Sequence, residues 1–295
     1  MNDKDIISDI KNEWKKFEDI CNNKNRFNIS EIINTEQNYC SNIIADDFLL
    51  QSEIYSIAME TLYILSEISE KCYIKDKDDN SYAFTFVCQK VVSLMISIWQ
   101  LVKIGQDDSA SCLYRVLLET TEIGLVCLFD DEFENYLEIQ DDNNYYNEFW
   151  KSEIAYGKIY SKIGEILKLI DFPERVCNSY FKSHKKLKKH TSSSIHPNGI
   201  SIINSILLPS YKDRELFYCE PFGHISINTG NIIFATISEI YLFNSILTTS
   251  IMSKNCPNLL SDIKEIEGFR YYFRYFFYFQ EVYTKYENRM ADFSK

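Results

Sequence analysis

Apolar residues recur along most of this chain at intervals of three and four, the period of a helix packed on one face, and seldom alternate as in a strand. Residues 3 to 21 place Ile6, Ile7, Ile10, Trp14 and Phe17 on one stripe. Residues 46 to 73 carry a longer stripe through Leu49, Leu50, Ile54, Ile57, Leu62, Leu65 and Ile68. A polar loop, KDKDDNS at 75 to 81, precedes an almost all-round apolar helix over 82 to 104, the pattern of a helix at the centre of a bundle. Gly105 breaks it, and Asp107, Asp108 and Ser109 read as the cap of a helix running to about 129. The acidic stretch 131 to 148 reads as a connector with a short helix. Helical spacing returns over 149 to 171, and Pro173 suits the first turn of a helix reaching about Lys189. Residues 191 to 228 are turn-rich, with room for extended or hairpin segments. Two closing helices follow, about 229 to 253 and about 258 to 290, the second dense in aromatic residues from Phe269 to Phe279.

These elements predict an all-α fold, an antiparallel helical bundle of about seven to nine helices with one long irregular insertion near 191–228. The 295 residues read as a single domain in which 1–45 form peripheral N-terminal helices. Only 8 glycines and 5 prolines in that length argue against turn-dense all-β architectures. The apolar stretches 82 to 104 and 231 to 252 contain Gln89, Lys90 and Gln100 in the first and Glu239 in the second. Interrupted in this way, they read as buried helices and not as membrane spans. Nine scattered cysteines without a C-x-x-C pair read as reduced thiols, and with an acidic, polar N-terminus they point to a cytoplasmic protein.

A formal net charge of −12 repels polyanions as a whole, so any phosphate contact must come from a local basic patch. One such patch exists. From Lys182 to Pro197 the sequence KSHKKLKKHTSSSIHP carries five lysines, three of the four histidines (His184, His190 and His196) and a run of serines, without an acid. Six-residue spacings put the histidines about 120° apart on a helix, so they do not form a zinc site on one face. One reading is a basic helix terminus that complements the helix dipole. The other is an anion-binding rim of Lys185, Lys186, Lys188, Lys189 and Ser194, with His190 or His196 able to move protons near neutral pH. Upstream, Arg115, Glu119 and Glu122 are spaced i, i+4, i+7 and share a face among apolar neighbours. That face reads either as a solvated stripe or as an interior polar cluster.

Two segments, YRVLLETTE at 114 to 122 and LKKHTSSSIHP at 187 to 197, resemble motifs of uncharacterised bacterial all-helical proteins distantly similar to the HEPN superfamily. Those families include abortive-infection and toxin ribonucleases. Where HEPN ribonucleases carry Arg-x(4–6)-His, this chain offers Lys185-x4-His190 and Lys189-x6-His196. The resemblance implies a metal-independent endoribonuclease without a cofactor, acting in phage defence or as a toxin. RNA phosphates would be held by Lys185, Lys186, Lys188, Lys189 and Ser194. His190 or His196 would act as general acid/base on a ribose 2′-hydroxyl, with Arg115 and Glu119 orienting the histidine or stabilising developing charge. The alternative expectation is a non-catalytic scaffold or homodimeric module that binds a second copy or a partner protein through its aromatic C-terminal helix.

Overall fold

The computed structural model describes residues 29–75, 81–130, 143–195, 207–210, 217–219 and 223–291, together with a few isolated positions. Among these the fold is all-α. The helices are α1 (Ile29–Asp47), α2 (Leu49–Lys75), α3 (Ser81–Lys103), α4 (Asp107–Cys127) and α5 (Asn143–Phe149). They continue with α6 (Ile159–Leu169), α7 (Glu174–Ile195), α8 (Ile227–Met252), α9 (Asn258–Glu265) and α10 (Phe269–Ala291). The expected amphipathic stripe over residues 3 to 21 lies outside the described residues.

Three stretches divide differently from the sequence pattern. The run expected over 149 to 171 is interrupted where α5 passes into a π-helical turn (Trp150–Ile154) and a 3-10 turn (Ala155–Gly157) before α6 begins. At that junction Tyr156 adopts φ 58° and its ring is almost fully exposed, so the chain turns there at the cost of a left-handed non-glycine residue. The run expected over 258 to 290 is two helices. Gly268, at φ 104°, makes a bend that no helix continues through. In the opposite sense, α7 runs on through Thr191 to Ile195. The buried Thr191 hydroxyl donates to the Leu187 carbonyl at 2.9 Å within that helix. Within the irregular insertion, β1 (Leu207–Pro209) pairs antiparallel with β2 (Phe217–Cys219).

Two long apolar helices, α2 and α8, organise the core. Helix α2 packs on α3, α8 and α10, and α8 lies among α2, α4 and α10. Their facing residues include Ala58, Leu62 and Leu65 from α2 and Ile233, Ile237, Ile240 and Phe243 from α8, all buried. The aromatic face of α10 divides. Tyr272, Phe276, Phe279 and Tyr283 enter the core, where the Tyr272 hydroxyl donates to Asn244 Oδ1 at 2.8 Å, whereas Tyr271, Phe277 and Tyr278 remain exposed. Helices α3 and α8 are each long and apolar enough to cross a membrane by length and composition. In this fold α8 surrounds its polar residues Thr236, Glu239 and Asn244 with protein, leaving each buried.

Helix α4 packs along α3, α6, α7 and α8, and α7 packs on α4 and α6. The segment bearing Arg115, Glu119 and Glu122 therefore meets the basic segment. A backbone clasp fixes this end of the bundle: His224 N donates to Gly105 O at 3.1 Å where the chain enters α8. Asp107, expected to cap its own helix, instead turns inward at the first residue of α4. Its Oδ2 accepts from Ser226 Oγ at 2.6 Å and Thr229 Oγ1 at 2.7 Å, while those two residues form the capping box of α8.

Candidate functional site

A line of charge crosses the α4–α7–α8 junction. On α4, Glu122 is one turn beyond the exposed part of the acidic face and is wholly buried. On α7, the 100° step per residue sends Tyr180, His184, Lys188 and Thr191 inward and leaves Lys182, Lys185, Lys186 and Lys189 exposed. On α8, Glu239 is the single formal charge in a 26-residue helix. The buried imidazole of His184 joins the three helices. Its Nδ1 donates to Glu122 Oε1 at 2.9 Å and its Nε2 donates to Glu239 Oε2 at 2.8 Å. Lys188 Nζ pairs with the second oxygen of Glu122, and Thr121 Oγ1 donates to Glu239 Oε1 at 2.5 Å. The Tyr180 ring packs on the imidazole at a centroid distance of 3.9 Å.

The electrostatics follow from this arrangement. Burial alone would push the His184 pKa down, but the Glu239 charge and the hydrogen bonds to both carboxylates raise it to about 9. Burial pushes Glu122 upward, yet the His184 bond and the Lys188 charge outweigh it and hold this carboxylate below its ordinary range. Two carboxylates and two cations thus form a neutral unit, as burial of charge requires. With both nitrogens donating to carboxylates, His184 has no lone pair with which to accept a proton or bind a metal. Among the described residues no group of three His, Cys, Asp or Glu is placed to hold a metal ion.

Toward the surface of the same junction, Arg115 Nε and Nη2 reach Glu119 Oε1 at 2.9 and 2.7 Å, the i, i+4 pairing that the spacing suggests. Beside them stands Tyr160 of α6. The ammonium groups of Lys188 and Lys185 lie 5.2 and 5.7 Å from its ring centroid. Burial, followed by the negative charge of Glu122, pushes the Tyr160 pKa well up, so the phenol keeps its proton.

Against the sequence-derived residues the outcome is mixed. Arg115 and Glu119 are paired on the α4 surface. Lys188, expected among the phosphate-binding lysines, faces inward onto Glu122, and Lys185, Lys186 and Lys189 face solvent. His190 and Ser194 occupy α7, but their side chains lie outside the described residues, as does all of His196. The residues the sequence reading passed over are His184, Glu239, Thr121, Tyr160 and Tyr180. The usable signals were an isolated glutamate in an otherwise uncharged helix and a Tyr-x3-His-x3-Lys series at i, i+4, i+8 on a helix whose other lysines fall on the opposite face. No family model, curated protein or solved structure matches the chain.

Proposed function

We propose that this protein binds RNA through its phosphates, using the exposed face of α7 beside Arg115. The observation that supports this is the division of cations on α7. Lys188 is matched by a carboxylate in the interior, whereas Lys182, Lys185, Lys186 and Lys189 face solvent, and no carboxylate lies within ion-pair distance of them among the described residues. In a chain of net charge −12, a row of four lysines on one helix face without a carboxylate partner among the described residues is a local reversal of field. Flexible ammonium groups on such a face suit a phosphodiester backbone read without regard to sequence. The test is fluorescence anisotropy with a labelled single-stranded RNA, comparing the parent protein with a Lys185→Glu, Lys186→Glu, Lys189→Glu variant. The variant is expected to lose binding about 100-fold or more at low salt, a steep effect because each reversal replaces attraction with repulsion. A parent that does not bind, or a variant that binds equally, rejects the proposal.

A second reading is metal-independent RNA cleavage of the HEPN type, and the packing of α4 on α7 favours it by joining the Arg115–Glu119 couple to the helix that carries His190. His184 is unsuited to the role of base because both its nitrogens are engaged by carboxylates. The general acid/base would then be His190 or His196. Incubating RNA with the parent and with His190→Ala and His196→Ala variants in a chelator tests it. Intact RNA with the parent, or cleavage undiminished in both variants, rejects this chemistry.

A further inference from the structure

Beneath the exposed lysines, α4, α6 and α7 build a deeper locus in which donors outnumber acceptors. A guanidinium carries five N–H groups, and Glu119 occupies only the side formed by Nε and Nη2 of Arg115. Arg115 Nη1 is shielded from solvent and has no acceptor among the described residues. The Tyr160 hydroxyl is also shielded and forms no well-aligned hydrogen bond. It is directed toward Glu122, both oxygens of which are already engaged by His184 and Lys188. A third donor, the hydroxyl of Tyr180, belongs to a residue that is 4% exposed, lies within electrostatic reach of Tyr160 and Glu122, and likewise has no partner among the described residues.

Charge points the same way as hydrogen bonding. Arg115 is balanced by Glu119, and His184 with Lys188 is balanced by Glu122 with Glu239. Lys185, whose ammonium lies over the Tyr160 ring, has no matching carboxylate among the described residues. The side chains of Arg115, Lys188 and Glu119 are 19%, 15% and 31% exposed, so the rim of the locus borders solvent while the Arg115 Nη1, Tyr160 and Tyr180 donors lie beneath it. A group with several acceptor oxygens and a negative charge is the chemical complement of these features, and the planar end of a guanidinium matches two such oxygens at once.

We propose that this locus is a phosphoryl-oxyanion subsite in which the end-on edge of Arg115 holds two oxygens, with the Tyr160 hydroxyl and the Lys185 ammonium on the others. The assignment of phosphate rests on the RNA reading above. The phosphoryl group arrives either on a polynucleotide or as a free phosphate or mononucleotide.

Calorimetric titration and thermal unfolding with inorganic phosphate, adenosine monophosphate and a single-stranded RNA separate these sources, with acetate as the carboxylate control. Phosphate and the mononucleotide are expected to bind the parent and raise its Tm by a few degrees near saturation, acetate by less. Tyr160→Phe removes a donor without a well-formed partner, so its Tm without ligand should match the parent, while its phosphate affinity falls about fivefold. Arg115→Lys keeps the charge and loses the fork, and should weaken phosphate by about tenfold or more. A parent that binds RNA but neither phosphate nor the mononucleotide overturns the subsite and leaves the lysine face standing. A parent that binds phosphate and not RNA supports the subsite and overturns the RNA reading. Unchanged phosphate affinity in Tyr160→Phe overturns the proposal even if Arg115→Lys fails to fold.

Discussion

Raising the pH from 6.5 to 9.5 should loosen the α4–α7–α8 junction by discharging the imidazolium at its centre. The ordinary pKa of histidine is 6.5, and the two carboxylates hold that of His184 at about 9. The folded state therefore binds this proton more tightly than the unfolded chain does. The resulting stabilisation is fully present below pH 6.5 and is lost as pH rises through about 9. The rise from 6.5 to about 9, at about 1.4 kcal/mol per pH unit, is worth about 3–4 kcal/mol. That is a large share of the stability of an ordinary domain. The buried thiol of Cys40, raised by burial and by nearby acids to about 11, has an ordinary value near 9, so thiol ionisation matters mainly above this window. Urea unfolding followed by tryptophan fluorescence at half-unit pH steps measures the slope directly. A His184→Gln variant should be less stable than the parent by about 3–5 kcal/mol at pH 6.5, because it leaves two carboxylates without their shared cation, and should lack the decline above that pH. A parent whose stability is flat from pH 7 to 9, or a variant that keeps the same decline, would refute the assignment of a charged imidazole.

Two further outcomes follow from the other end of α4. Burial raises the Asp107 pKa from 3.8 to about 6 despite the hydroxyls of Ser226 and Thr229, so its stabilisation is greatest below pH 3.8 and declines as pH rises through about 6. Asp107→Asn should flatten that segment of the pH profile and change stability at pH 7 by no more than about 1 kcal/mol, since lost charged hydrogen bonds are offset by removing a buried charge. An unchanged acid limb counts against this. Gly223 sits at φ +99°, and a Cβ there would lie 2.4 Å from Ile104 O, so Gly223→Ala should lower stability by about 2–3 kcal/mol, read as the urea midpoint. A midpoint equal to the parent's would contradict it.

Much of the fold is legible in the sequence because helix periodicity is local. The stripe of α2, the all-round apolar α3 and the i, i+4 pair Arg115–Glu119 need no tertiary information. The divisions of helices are harder, because Gly268 sits in a pattern whose apolar spacing continues across it, and nothing in the residue type of Tyr156 signals its left-handed conformation. The charged junction is harder still. Glu122, His184 and Glu239 are contributed by three helices separated by 62 and 55 residues along the chain, and each taken alone suits a solvated face or a solitary buried polar group. Local pattern showed that α7 has lysines to spare. Which lysine turns inward depends on the phase of α7 against α4, and that phase is fixed by packing of Tyr180, His184 and Leu187 at the interface.

The dependence of RNA affinity on ionic strength tests the central claim most directly. A single-stranded RNA held by Lys185, Lys186, Lys189 and Arg115 should show log affinity falling with log salt at a slope of about −3, and the variant with those three lysines changed to glutamate should lose most of that slope together with its binding. Salt-independent binding by the parent, or a variant that retains both its affinity and its slope, would contradict phosphate recognition on this face.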